Sequence, residues 1–388
     1  MTKPIKVGII GAGLAGQAHA FGYRNAMMSV SNEINIELTV IADPNLALAQ
    51  KVAARYGFNN AIASVDELLA FDVDVVSLAL PNFLHDEVLA KTLESGKHVF
   101  AEKPIGRTPA ESAKLRAIAE RSSAVTGVGF SFRRLPGLAA LAQAVREGLF
   151  GEIHTARAWY FADYAADPNG ALSWRFSQED AGAGALLDIG AHAIDALQFV
   201  AGDVARVNSA TLKTVISERP KPVAGGVGHG AKVSEERGPV TNDDIALLNV
   251  TLDNGAAAQV SLSRIAHGIP NSLGVEVHGT LGSGSFDSMS AGEFHVFQAD
   301  PSNPVFNGSR RVITGPQHPY FTDVAAMPGG GVGTGYAEAF TAEIQEFLVA
   351  VKNGTKMDTD FATADRMMAV VGAAQESAAK DAPVNVAK

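Results

Sequence analysis

Apolar and polar positions alternate between two periods over the first third of the chain. Val7, Ile9 and Ile10 form a dense, β-branched run, as expected of a strand buried on both faces. A helical stretch from Leu14 to Met28 follows, then a second apolar strand from Ile34 to Ala42. The same reading predicts helices over Asn45–Tyr56, Ser64–Ala70, Phe83–Ser95 and Pro109–Arg121, and strands over Val73–Leu80, Lys97–Ala101 and Val125–Phe130. Pro44 stands where a first turn tolerates it, Ser64 and Asn82 are placed to cap, and Gly96 to terminate. Strands separated by helices of this length imply a parallel α/β domain with right-handed crossovers over residues 1–130.

From residue 131 the pattern changes. Strand-like alternation appears at Ile153–Phe161, Val204–Ile216, Ala246–Leu252, Ala256–Ser263 and Leu273–Gly279, with Asp253-Asn254-Gly255 as a hairpin turn. One helix, Ala185–Val200, interrupts it, and amphipathic helices Tyr336–Lys352 and Phe361–Ala379 close the chain. Residues 131–388 therefore predict an α+β domain on a large, mostly antiparallel sheet. Its apolar strand positions outnumber what these helices can cover, which predicts a homodimer or homotetramer. Glu218–Asn242 and His318–Gly335 lack a period and exceed ordinary connections, so each is expected to be a mobile loop or a lid.

Composition narrows the function. The chain has 388 residues, enough for two domains, with 47% hydrophobic and 19% charged residues, an ordinary globular make-up. A net charge of −10 argues against nucleic acid and anionic membrane surfaces. The sequence contains no cysteine, which excludes disulfides, thiolate metal sites and a cysteine nucleophile. No apolar run reaches about 18 residues, and a cytoplasmic protein is expected.

Three stretches carry candidate chemistry. Gly11, Gly13 and Gly16, with Leu14 and Ala15 between them, follow a strand and open a helix in the spacing G-x-G-x-x-G. The first glycine suits a tight turn, the second lets backbone approach a pyrophosphate, and the third lets helix pack on strand. The free N–H groups at the helix start favour the anion. Asp43, ending the second strand, is placed to bind a ribose 2′-OH and repel a 2′-phosphate, so the expected cofactor is NAD. Leu80-Pro81-Asn82, with His85 one turn on, would line the cofactor from the side; a helix cap with a surface histidine is the plain alternative.

Glu102-Lys103-Pro104 lies at the carboxyl end of the predicted strand Lys97–Ala101, where open α/β sheets bind ligands. A lysine there, beside a cationic nicotinamide, would hold a substrate hydroxyl and share its proton, or else simply snorkel into solvent. The third stretch is Gly184-Ala185-Leu186-Leu187-Asp188-Ile189-Gly190-Ala191-His192-Ala193-Ile194-Asp195. Asp188 and His192, four apart, would share a helical face, the carboxylate orienting an imidazole base. A metal pair would need a third ligand that the spacing does not offer, and a buried, satisfied histidine is equally open.

Together these motifs resemble the Gfo/Idh/MocA oxidoreductases over nearly the whole chain. The resemblance implies a Rossmann domain followed by an open, mainly antiparallel sheet whose outer face mediates dimers or tetramers. It matches Lys103, Asp188 and His192 to the family's catalytic triad, and Pro81, Asn82, Glu102 and Lys103 to its nicotinamide-side contacts. Phe132-Arg133-Arg134-Leu135-Pro136 and Ser173-Trp174-Arg175-Phe176 match segments lining the pocket of sugar-acting members, so Arg134, Trp174 and Arg175 are expected to hold a sugar or cyclic polyol. The stretch after His318-Pro319-Tyr320 departs from such members: Ala325-Ala326-Met327-Pro328 and Gly329-Gly330-Gly331 stand where an aromatic-rich run with a histidine is usual. The family implies an NAD-dependent dehydrogenase, a redox-assisted glycoside hydrolase on the same residues, or a non-catalytic dinucleotide sensor; the intact triad argues against the last.

Overall fold

In a computed structural model of the chain, residues 3–223, 231–302 and 304–387 are described. The predicted alternation is realised as β1 (Ile5–Ile10), α1 (Leu14–Ala26), β2 (Ile36–Ala42), α2 (Leu46–Tyr56), β3 (Asn60–Ile62), α3 (Val65–Ala70), β4 (Val75–Leu78), α4 (Asn82–Glu94), β5 (His98–Ala101), α5 (Pro109–Arg121) and β6 (Thr126–Val128). These strands pair in parallel in the order β3-β2-β1-β4-β5-β6. That is the doubly wound Rossmann order, which reverses direction between β1 and β4. The apolar runs are dense because helices cover both faces: β4 is buried at every position. Asn45, Ser64 and Thr108 cap α2, α3 and α5 through their side chains. Asn82 does not cap α4 as expected; it is the helix's first residue, and Pro81 stands at the cap with no side-chain bond.

A short 3-10 turn, Ser131–Arg134, leads to α6 (Pro136–Arg146), β7 (Ile153–Phe161), α7 (Gln178–Ala181), α8 (Ala185–Asp188), α9 (Gly190–Ala201), β8 (Val204–Lys213), β9 (Glu218–Pro222), β10 (Val233–Pro239), β11 (Ile245–Leu252) and β12 (Ala257–Ser263). Then come β13 (Ser272–Gly279), β14 (Gly282–Asp287), β15 (Glu293–Gln298), β16 (Arg310–Ile313), α10 (Tyr336–Asn353), α11 (Phe361–Lys380) and β17 (Val384–Asn385). The large sheet runs β16-β15-β14-β13-β7-β12-β11-β8-β17, antiparallel except where β12 pairs with β7. Its inner positions, such as Val260, Leu262, Leu273, Val275 and Val277, are buried. Its outer positions carry Arg157 paired with Glu276, and Asn249 bonded to Ser209 and Gln259. The exposed face around β11 and β12 is thus more polar than the expected apolar surplus, because these two strands alternate cleanly.

The chain divides into two compact units, residues 1–136 with 315–365, and 137–314 with 366–388. By this division the first unit extends past the expected 1–130 and takes in α10, which the sequence placed with the second domain. The cause is the face that α1 presents. His19, Ala20, Tyr23 and Ala26 are fully buried, and a Cβ on Gly22 would lie 2.6 Å from Ile344 of α10. Helix amphipathicity tells which face is buried but not which helix covers it.

Two further expectations change. The aperiodic stretch Glu218–Asn242 contains a hairpin, β9 with β10, while residues 224–230 lie outside those described. The hairpin has little apolar alternation; backbone pairing and the Arg219 guanidinium, bonded to the carbonyls of Asp167 and Ala165, hold it instead. His318–Gly335 is irregular but anchored, with Phe321 buried and Asp323 Oδ1 accepting from the N–H groups of Val30 and Ser31 at 2.9 and 2.8 Å.

In the second unit Arg264 and Asp244 form a buried ion pair, Nε to Oδ1 at 2.9 Å, both side chains 0% exposed. Asp244 Oδ2 also accepts from the N–H groups of Val215 and Ile216. Arg264→Met would leave that carboxylate buried without its counter-charge and should cost about 3–5 kcal/mol. Denaturant unfolding should show this as a lowered midpoint; an unchanged midpoint would count against it.

Candidate active site

The turn after β1 is built by backbone clearance. Gly11 has φ +99°, and a Cβ on Gly16 would lie 1.9 Å from the Gly11 carbonyl oxygen, so α1 can pack at this distance only with glycine there. Around Gly13, by contrast, nothing lies within 4 Å of an added Cβ. The start of α1 has no side-chain cap, and Leu14 is 90% exposed. An uncapped helix start beside open space is what a pyrophosphate requires. Asp43 follows β2 and closes the turn: its Oδ2 accepts from Ala12 N–H at 2.8 Å and its Oδ1 from Asn45 N–H at 2.8 Å. The carboxylate is held at the edge of the cradle, and the residues fit a dinucleotide.

Glu102 and Lys103 follow β5 at its carboxyl end, with Leu80 and Pro81 after β4 alongside. His85 is not the surface residue of the plain alternative. It is fully buried, with Nδ1 2.6 Å from the Pro104 carbonyl and Nε2 2.9 Å from that of Leu80. It ties the turn after β4 to the turn after β5. Burial holds its ring below the ordinary histidine pKa, against the pull of both carbonyls. A neutral ring donates to one of the two carbonyls.

Arg134 also moves out of the expected pocket lining. Its side chain is 1% exposed, and Nε and Nη2 donate to Glu346 Oε2 of α10 at 3.0 and 2.8 Å, Nη2 also to Thr359 at 3.2 Å. Sequence shows a guanidinium after a strand; only the packing of α10 shows that it is spent internally.

In the second unit the expected single helix is broken. Ile189, at φ −102° and ψ −29°, ends α8 and precedes α9, so Asp188 and His192 sit on different helices. Asp243 forces the entry: its side chain accepts from the N–H groups of Gly184 and Leu186 at 2.8 and 2.7 Å, and its carbonyl accepts from Ala185 N–H. A Cβ on Gly184 would fall 1.8 Å from that carbonyl oxygen. Asp188 Oδ2 accepts from the Tyr164 hydroxyl at 2.6 Å, with Arg175 Nε at 3.8 Å. Burial and the adjacent carboxylate push the Tyr164 phenol well above its ordinary range, so it stays a donor. His192 is 93% buried at the start of α9, its ring 6.1 Å from that of Tyr160.

The turn Trp174–Phe176 is fixed by its last residue. Phe176 is buried between two guanidiniums, Arg219 at 4.1 Å and Arg264 at 4.7 Å from its ring. Trp174 and Arg175 stay partly exposed, stacked 4.4 Å apart, and Arg175 reaches Asp188. The structure thus gathers Trp174, Arg175, Asp188 and His192 in one unit, and the Gly11–Gly16 turn, Asp43, Pro81, Glu102 and Lys103 in the other. Sequence reasoning missed Tyr164, whose partner lies 24 residues on, and His19, whose role depends on β4 and β5.

A doubly wound sheet with an open glycine turn, followed by a large sheet whose packed helices carry a histidine and a carboxylate, defines a dinucleotide-dependent oxidoreductase. Residues 5–130 match the model of an oxidoreductase family with an NAD-binding Rossmann fold, and residues 138–285 that of the GFO/IDH/MocA C-terminal domain. The chain belongs to the Gfo/Idh/MocA family and is an NAD-dependent oxidoreductase of that type. Levoglucosan dehydrogenase of Pseudarthrobacter phenanthrenivorans is 36% identical over 387 residues, 98% of either chain. A solved structure of levoglucosan dehydrogenase in complex with NADH and levoglucosan matches with a TM-score of 0.92 at 35% identity, covering 100% of both chains. D-glucoside 3-dehydrogenase of Escherichia coli is 34% identical over 207 residues, 52% of this chain and 55% of that one. Among the described residues no single helix is long and apolar enough to cross a membrane.

Because the folded state holds His85 below its ordinary value of 6.5, the unfolded chain binds that proton first as pH falls. The stability that His85 permits is present above about pH 6.5 and is lost as the solution is acidified through it. The melting temperature of the wild type should therefore fall more steeply below about pH 6.5 than that of His85→Gln, which keeps one donor and does not titrate. Parallel profiles for the two proteins would assign the acid loss elsewhere.

Proposed function

We propose that this enzyme oxidises a secondary alcohol of a sugar or cyclic polyol, passing hydride to NAD. The observation that carries this reading is the complete set of Lys103, Asp188 and His192, with Asp188 already clamped by Tyr164. His192 takes the hydroxyl proton as hydride leaves, Asp188 orients the imidazole, and Lys103 holds the hydroxyl and shares its proton. NAD, when bound, supplies the hydride acceptor. Trp174 and Arg175 are placed to meet a ring and its hydroxyls, the indole offering an apolar face and the guanidinium its donors. The dehydrogenases among the matched relatives favour this over glycoside hydrolysis, and levoglucosan is the first substrate to try. We further propose a homodimer or homotetramer, to be read by light scattering against the 40.4 kDa monomer, and a cytoplasmic setting, where a dinucleotide pool is present.

A panel of levoglucosan, simple glucosides and inositols, followed by NADH absorbance and by released aglycone, tests the reading. NADH formation without released aglycone is expected; release of aglycone with no net NADH would overturn it.

His192→Ala should lower turnover by roughly 100- to 10,000-fold and leave NAD affinity nearly unchanged. Near-normal turnover would remove His192 as the base.

Asp43 should make NAD bind on the order of 100-fold more tightly than NADP, through repulsion of the 2′-phosphate. Calorimetric titration with both nucleotides measures this, and equal affinity would refute the role of Asp43.

A further inference from the structure

We propose that His19 is a positioning residue that acts through Glu102 to set how strongly the protein prefers oxidised over reduced NAD. The inference rests on the reading that Glu102 faces the nicotinamide end of the cofactor, and extends it to a residue in the middle of α1.

His19 is fully buried, and its ring joins two strand ends. Nδ1 lies 2.8 Å from Ser77 Oγ on β4, and Nε2 lies 3.1 Å from Glu102 Oε1 just after β5. One assignment satisfies both contacts without charging the ring: Nε2–H donates to the carboxylate, and Nδ1 accepts from the Ser77 hydroxyl. The buried Tyr23 phenol faces Ser77 from the same helix, and burial pushes its pKa well up, so it stays protonated. The ring itself is wedged, edge-on to Phe100 at 5.2 Å and tilted against Phe340 at 6.1 Å. Glu102 is fixed from its other side as well. Its Oε2 accepts from the N–H of Lys103 at 3.2 Å, and a Cβ on Gly129 would lie 3.3 Å from Oε1.

A carboxylate so held cannot turn away from the strand ends. Its negative charge attracts the cationic oxidised nicotinamide and has little effect on the neutral reduced ring, so it separates the two affinities. His19 supplies the donor that fixes the carboxylate's direction. A histidine at this depth has a plain structural use in filling the space between α1 and the sheet. That use predicts equal losses for both nucleotides, which makes the two roles separable.

The test is calorimetric titration of the full-length protein with NAD and with NADH at one pH, for the wild type and four variants. Glu102→Gln should weaken NAD relative to NADH by roughly tenfold. His19→Asn, whose amide reaches the Ser77 side but not Glu102, should shift the ratio the same way. His19→Gln, whose amide nitrogen stands where Nε2 stood, should keep most of the wild-type ratio. The double variant His19→Asn with Glu102→Gln should shift no further than Glu102→Gln alone, because His19 acts through that carboxylate. A wild-type ratio in His19→Asn, equal weakening of both nucleotides, or additive shifts in the double variant would each overturn the proposal. A wild type that binds neither nucleotide would instead overturn the dinucleotide reading beneath it. Thermal melting of each variant confirms folding; should His19→Asn not fold, the ratio in Ser77→Ala, which frees the ring to turn, decides in the same direction.

Discussion

The contact of Gly16 with the Gly11 carbonyl is the constraint on which the cofactor end of the first unit depends. Any side chain at residue 16 would press into that oxygen, 1.9 Å away, and push α1 off β1. With glycine, α1 starts beside the strand end and aims its free N–H groups past Gly13 into open space. The same close seating brings His19 and Tyr23 down onto β4 and lets Gly22 pass under Ile344 of α10. One missing methyl group therefore sets the anion cradle, the buried polar cluster behind Glu102 and the docking of α10.

In the second unit the comparable constraint is polar. Asp243 gathers the N–H groups of Gly184, Ala185 and Leu186 and so starts a short helix, α8, which ends at Asp188 before α9 begins. Burial pushes its carboxyl pKa up, and the backbone N–H groups of Leu186, Gly184 and Asp243 with the Arg264 charge oppose that shift, as expected of a carboxylate kept for its hydrogen bonds. The break displaces Asp188 from the helix carrying His192 and hands it to Tyr164 and Arg175. Phe176, stacked between Arg219 and Arg264, pins the turn that presents Arg175. Charge is used here as packing material: two buried guanidiniums lie on the faces of one ring, and one of them is neutralised by Asp244.

Most of the first sheet was legible in the chain because buried parallel strands are nearly all apolar and their helices carry recognisable caps. The glycine turn, Asp43 and the strand-end Glu102-Lys103 were legible for the same reason, since their chemistry is tied to local strand ends. The burial of Arg134 and His85 was not legible because each makes its contacts far away or across two turns: Arg134 to Glu346 across 212 residues, His85 to carbonyls on two different turns. The β9–β10 hairpin escaped because backbone bonds and a buried arginine, not alternating apolar residues, hold it.

By itself, then, the sequence determined the strand–helix alternation of the first domain, the place of the glycine turn, the family resemblance and the candidacy of Lys103, Asp188 and His192. These rest on periods, caps and glycine clearances that act over a few residues. Tertiary structure alone decided that α10 returns to the first unit, that the helix bearing Asp188 breaks, and that His19 and Tyr164 stand behind the two carboxylates. Those outcomes are contacts between elements far apart in the chain, and a local pattern specifies that a face will be buried without specifying what will meet it.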